Sequence, residues 1–227
     1  MSRDGDPGQV AENDVQSPST AGPSAGFQHQ VPGIIYEPYS LDKEHEYLPQ
    51  IRELISKDLS EPYSIYVYRY FLYQWAELCF MALDETNNRK MVGVVICKLE
   101  AHRGGPLRGY IAMLATREGY RGKGIAITLV SKAIDLMIEK DADEIALETE
   151  ETNTAAMKLY EKLGFLRSKK LHRYYLNGNS AYRLLLYLKE GVGSMQPGYD
   201  PYGDVPPSAE DADELSTALG LLSRGIV

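Results

Sequence analysis

The sequence predicts an α/β domain of the α+β kind, with one mostly antiparallel sheet of about seven strands and three or four helices between two polar tails. Three observations predict it. Strand-like runs cluster in the middle of the chain and again near its end, where neighbours can pair. Segments between them carry apolar residues at helical spacing, and Pro- and Gly-rich polar composition is confined to the two ends.

Taken in order, Ile34 to Tyr39 reads as a first strand, and Glu44 to Lys57 as a helix that gathers Leu48, Ile51, Leu54 and Ile55 on one side. Leu78 to Leu83, Met91 to Leu99 and Gly109 to Ala115 are apolar runs separated by Asn87-Asn88 and Gly104-Gly105-Pro106, which predicts an antiparallel meander. Gly124 to Lys140 places Ala126, Leu129, Val130, Ala133, Ile134 and Met137 on one helical face, and Asp143 to Leu147 is a short buried strand. Asn153 can cap a helix through Leu163 by accepting from an early amide, and Gly164 can stop it in the left-handed conformation. Phe165 to Leu176 and Ala181 to Leu188 close the domain as a strand pair around Asn177-Gly178-Asn179. Residues 65–75 favour a strand by composition but lack clean alternation, as a buried helix would; pattern leaves both open.

The flanks differ in kind from residues 32–190. Residues 1–31 are rich in Gly, Pro, Ser and Asp, so they bury too little to offset the entropy of ordering, and disorder is expected. Residues 191–227 are acidic and Pro- and Gly-rich, with one apolar patch at Leu215 to Leu222. The tails carry net charges of −3 and −5, the whole of the chain's −8, while residues 32–190 balance 22 bases against 22 acids. The domain therefore lacks a global field to steer nucleic acid, and direct DNA binding is not expected. Cys79 and Cys97 share no metal-ligand or disulfide-framework spacing. No apolar run approaches the roughly 18 residues that span a bilayer, and no signal peptide is visible, so a cytoplasmic protein is expected.

Arg121-Gly122-Lys123-Gly124-Ile125-Ala126 carries the strongest chemical signal. It follows a strand-like run and opens an amphipathic helix, so its amides should face whatever occupies that helix N-terminus, and anions belong there. The glycines let the backbone approach closely, Arg121 and Lys123 add positive charge, and Ala126 keeps the first turn small. The hexapeptide matches neither a P-loop nor a dinucleotide fingerprint.

It does resemble the R/Q-x-x-G-x-G/A signature of the GNAT acetyltransferases, and Asn153 through Tyr160 to Gly164-Phe165 resembles a second motif of that family. The stretches Leu59 to Phe71, Leu107 to Ile111 and Leu147 to Glu150 are similar to the catalytic subunits of the N-terminal acetyltransferase NatC, in a likeness running over roughly residues 34–190. The resemblance implies the GNAT fold: a mixed, mostly antiparallel sheet flanked by about four helices and splayed between its central strands. It makes residues 65–75 the second helix. It also implies acetyl-CoA as cosubstrate and no metal, with pyrophosphate on Arg121 to Ala126, pantetheine against the backbone of Leu114 and Ala115, and Asn153 and Tyr160 near the cofactor.

For the reaction, the resemblance implies Glu148, expected at the end of its strand, as general base acting directly or through water, and Tyr160 as proton donor to the leaving thiolate. It implies acceptors that are protein N-termini beginning with Met and a large hydrophobic residue. Leu59, Glu61 and Tyr63 would form one lip of the peptide site, and Tyr110, Tyr174 and Tyr175 the other. His102 and His172 fall in no motif and read as turn or strand residues. Implied partners are a large and a small auxiliary subunit, with ribosome association through them. Two other readings remain at this point: a GNAT enzyme acting on lysine or small amines, and a non-catalytic CoA-binding scaffold module.

Overall fold

The computed structural model describes residues 31–58, 63–101 and 105–192. The expectations for the two tails fall almost wholly outside these residues, as do Leu59, Glu61 and His102. Strand β1 (Ile34–Pro38) leads through a short 3-10 turn into helices α1 (Glu44–Asp58) and α2 (Ile65–Gln74). A meander of β2 (Phe80–Asp84), β3 (Lys90–Ala101) and β4 (Leu107–Thr116) follows. Then come α3 (Ile125–Glu139), β5 (Glu144–Glu150), α4 (Thr154–Lys162), β6 (Leu166–Leu171) and β7 (Ala181–Tyr187).

Residues 65–74 are helical, as the family resemblance implied and composition did not. Val67, Tyr68 and Leu72 are buried against the sheet, while Tyr66, Tyr70 and Tyr73, at i, i+4 and i+7, point outward. Two boundaries differ from expectation. β5 runs past Leu147 to Glu150, so Glu148 lies within the strand and not at its end; β7 holds the polar extension by pairing Glu148 with Arg183 and Thr149 with Tyr182. β6 stops at Leu171 and not Leu176, because Arg173 turns to φ 53° and the chain folds into a loop. In that loop Tyr175 N donates to Asn179 O at 3.1 Å and Gly178 N to Tyr175 O at 2.8 Å, which removes Tyr174 and Tyr175 from the strand.

The seven strands form one sheet in the order β1-β2-β3-β4-β5-β7-β6. All neighbours are antiparallel except β4 and β5, which pair in parallel at three rungs alone, Arg108 with Glu144, Gly109 with Ile145 and Tyr110 with Ala146. Beyond Tyr110, β4 continues to Thr116 and β5 to Glu150 without pairing to each other, so the sheet splits into a V. The register of β3 against β4 skips Ala112, between the partners of Ile96 and Cys97. A bulge there adds twist just where β4 leaves β5.

Both faces of the sheet are covered, which gives two apolar cores. One collects Leu129, Ala133 and Ile134 of α3 and Met157 and Tyr160 of α4 with Cys97, Ile111, Ile145 and Leu147. The other joins Ile51, Leu54 and Ile55 of α1 and Leu72 of α2 to Val94, Ile96 and Met113. α3 packs onto Gly109, on the parallel ladder, where an added Cβ would collide with Met137 Sδ and lie 3.1 Å from Ile145 Cγ1. Gly109→Val should therefore cost about 1–3 kcal/mol by overpacking. A thermal melt checks this, and an unchanged Tm would mean that Met137 moves aside freely.

Candidate active site

Because β4 and β5 run the same way, both reach the open end of the V at their carboxyl ends, and each feeds a helix that begins beside the mouth. Crevices outside the carboxyl ends of parallel strands are where open α/β sheets place ligands. At the mouth, α3 begins at Gly124, whose φ of 88° follows a φ of 75° at Gly122, and no side chain caps the helix. Its first turn therefore presents amides with the positive end of the helix dipole behind them. A Cβ at Gly122 would meet nothing within 4 Å, so that side of the loop is open.

The charged residues frame this cradle from outside. Arg121 Nε donates to Thr116 O at 3.0 Å, folding the side chain back along the end of β4, and Lys123 Nζ sits 5.0 Å from the centre of the Tyr120 ring. Ile125 is buried and anchors the turn, whereas Gly122 and Lys123 are exposed and Ala126 half-buried. Leu114 and Ala115 pair with Val95 and Val94 on the β3 side, while their other edge faces the split. Across the mouth, Asn153 caps α4 by accepting from Ala156 N at 3.0 Å, which leaves its Nδ2 as the donor it can offer a ligand.

Glu148 stands where the V opens. Its Oε2 accepts from Tyr110 Oη at 2.8 Å and its Oε1 from Arg183 Nε at 2.7 Å, so strands on both sides of β5 hold one carboxylate. The Tyr110 bond crosses the split just beyond the last parallel rung. Burial first, and then the Glu148 charge, hold the Tyr110 phenol well above its usual pKa. Although 42% of Tyr174 is exposed, burial of its phenol, Glu148 and Tyr175 raise it in the same way. Tyr63, edge-on to Tyr68 with ring centroids 6.2 Å apart, interacts electrostatically with both Tyr110 and Tyr174, so the structure brings these three expected residues into one neighbourhood.

Tyr160 approaches from the other side. It lies in the α3–α4 core, edge-on to Phe165 with ring centroids 5.4 Å apart, while alternation along β5 turns Glu148 to the α1–α2 face. The V is thus a slot between two faces of the sheet, with a carboxylate on one side and a phenol on the other. Burial, reinforced by Cys97 and Tyr175, raises the Tyr160 pKa, which keeps the hydroxyl protonated as a donor. Tyr175 packs edge-on to Tyr174, ring centroids 5.1 Å apart, and interacts electrostatically with Tyr160. His172 is exposed in the loop after β6.

The sequence reading missed Arg183. Its signal was a single arginine in an otherwise apolar strand, Ala181 to Tyr187, but its partner lies 35 residues away and is fixed by sheet register. Among the described residues, no group of three His, Cys, Asp or Glu could hold a metal, and no helix is long and apolar enough to cross a membrane.

Comparison with known proteins agrees with this geometry. Residues 48–165 match the acetyltransferase (GNAT) family. N-alpha-acetyltransferase 30 of Schizosaccharomyces pombe is 57% identical over 150 residues, covering 66% of this chain and 95% of the relative. The Saccharomyces cerevisiae protein of the same name is 50% identical over 159 residues, covering 69% and 90%. A crystal structure of the NatC complex bound to Gag peptide and CoA contains a chain that superposes with a TM-score of 0.67 at 50% identity, covering 69% of this chain and 99% of that one. This chain therefore belongs to the GNAT acetyltransferases, as an N-alpha-acetyltransferase of the NatC catalytic type that uses acetyl-CoA.

Proposed function

We propose that the enzyme acetylates protein N-termini that begin with Met followed by Leu, Ile, Phe or Trp, with Glu148 as general base and Tyr160 as general acid. The observation that carries this reading is the Glu148 carboxylate, held at the opening of the split by Tyr110 and Arg183, with Tyr174 near enough to feel its charge. Leu59 and Glu61 belong to the same lip by family position, and Tyr175 to the opposite one. Phenols suit such a site because the ring packs on an apolar side chain while the hydroxyl bonds backbone.

Acetyl-CoA supplies an activated acetyl thioester. Arg121 to Ala126 bind its pyrophosphate through the amides at the start of α3; the open edges of Leu114 and Ala115 receive the pantetheine amides, and Asn153 offers Nδ2. On the tyrosine side, Glu148 removes the proton from the α-amine, directly or through one water, as the amine forms its bond to the acetyl carbon. On the α4 side, Tyr160 gives its proton to the departing sulfur. A strong base is unnecessary, because an α-amine with a reference pKa near 7.7–8.0 is partly neutral at cellular pH.

The enzyme works in the cytoplasm with a large and a small auxiliary subunit of the NatC type and through them meets nascent chains on the ribosome; the 50% identical chain crystallised within a NatC complex supports assembly with other subunits. Peptide-dependent CoA release by the purified protein, with those subunits where it needs them, tests the acceptor. Met-Leu and Met-Ile peptides should turn over well above Ser-Ala peptides and above a lysine-bearing peptide with a blocked N-terminus. Equal rates across the panel would exclude the proposed preference.

A further inference from the structure

We propose that Arg183 is a positioning residue for acetyl transfer, fixing the Glu148 carboxylate at the split and cancelling its charge so that the site does not trap the acceptor as an ammonium ion. This rests on the proposed role of Glu148 as base.

The geometry begins with register. β5 and β7 pair antiparallel with Glu148 opposite Arg183, which puts both side chains on one face of the sheet. Arg183 Nε reaches Oε1 at 2.7 Å, while Tyr110 takes Oε2 from the other side of β5. A carboxylate bonded through both oxygens to two different strands cannot rotate about its last torsion without breaking a bond, so its remaining lone pairs keep one direction. The Glu148 side chain is 7% exposed and that of Arg183 24%, so solvent screens the pair poorly.

The charge argument follows from the substrate. At pH 7 an α-amine with a reference pKa near 7.7–8.0 is mostly ammonium. A lone buried carboxylate would bind that ammonium as an ion pair and stabilise the form that cannot attack. Paired with Arg183, the carboxylate carries no net charge with its partner, so the neutral amine loses less in competition. Tyr110 and Tyr174, which also feel this carboxylate, are phenols and add no charge while protonated, and Arg108, the further cation that feels it, is already paired with Glu144. Arg183 thus favours turnover over tight binding of the protonated acceptor, a ground-state interaction that would not help the transition state.

Steady-state kinetics on a Met-Leu peptide test this with Arg183→Gln, Arg183→Lys, Glu148→Gln and the Glu148→Gln/Arg183→Gln double variant, with acetyl-CoA binding and Tm measured for each. Arg183→Gln should lower kcat about 10- to 100-fold, the scale of one charge-assisted hydrogen bond, with peptide KM unchanged or lower and acetyl-CoA affinity intact. Arg183→Lys should recover part of the loss, since it restores the charge without the planar fork. In the Glu148→Gln background, Arg183→Gln should change kcat by less than about two-fold, because residues acting as one unit are not additive. If Arg183→Gln is too unstable to assay, Arg183→Lys carries the test, with kcat reduced at unchanged peptide KM. Full additivity in the double variant, or a raised peptide KM at unchanged kcat, overturns the positioning role and leaves Glu148 as base untouched. An unchanged kcat in Glu148→Gln removes the base itself, and Arg183's role with it.

Discussion

Glu148→Gln should lower kcat by about 10²–10⁴, the span of one acid–base group, while leaving acetyl-CoA binding within a factor of about two. Glutamine keeps the shape and one carbonyl oxygen, so Tyr110 can still donate to it. It loses the proton acceptor and the ion pair with Arg183. The cradle at Arg121 to Ala126 lies at the end of β4, apart from this network, which is why cofactor affinity separates catalysis from damage to the fold. The pH dependence divides the role further. If Glu148 takes a proton from the bound ammonium before attack, the deficit of the variant shrinks as pH rises past the α-amine's reference range of about 7.7–8.0. If it takes the proton during attack, the deficit persists. A variant with wild-type kcat at pH 7 would falsify the assignment.

The arrangement that makes this possible was unevenly legible in the sequence. The order of elements followed from local periodicity, since Leu129, Ala133, Ile134 and Met137 can share a face on a helix alone. α2 did not follow, because Tyr66 to Phe71 mix aromatic and β-branched residues that suit a strand equally well; one-sided burial of Val67, Tyr68 and Leu72 settles it. β5 was cut short at Leu147 because Glu148, Thr149 and Glu150 are polar, and their strand conformation comes from pairing with β7. The cradle could be located because its parts are contiguous. The carboxylate network could not, because Tyr110, Glu148 and Arg183 lie on three strands whose adjacency is set by the insertion of β7 between β5 and β6. Family position supplied Glu148 and Tyr110 without explaining why they meet, and Arg183 escaped both kinds of reading.

The second large effect is expected at the closed end of the V. Arg108 and Glu144 face each other on the first parallel rung, 8% and 3% exposed, with Arg108 Nε donating to Glu144 Oε1 at 2.7 Å and Nη2 donating to the same oxygen. Burial pulls the Arg108 pKa below its usual value, and the Glu144 charge opposes that pull. Removing one partner strands the other charge, so Arg108→Met should cost about 3–5 kcal/mol, read as a lower urea midpoint at unchanged slope. The Arg108→Met/Glu144→Leu double variant should recover most of that, since a well-packed apolar pair often matches a buried ion pair in stability. A single-variant loss under about 1 kcal/mol would place the pair with ordinary surface ion pairs. The double variant also separates stability from function. Both residues lie two positions before Tyr110 and Ala146, where the strands part, so the pair fixes how far apart β4 and β5 stand as the slot begins. A double variant that melts like the wild type but has lost affinity for acetyl-CoA would show that the ion pair sets the width of the slot. Full activity would make the ladder's backbone bonds and the twist at Ala112 sufficient for that spacing.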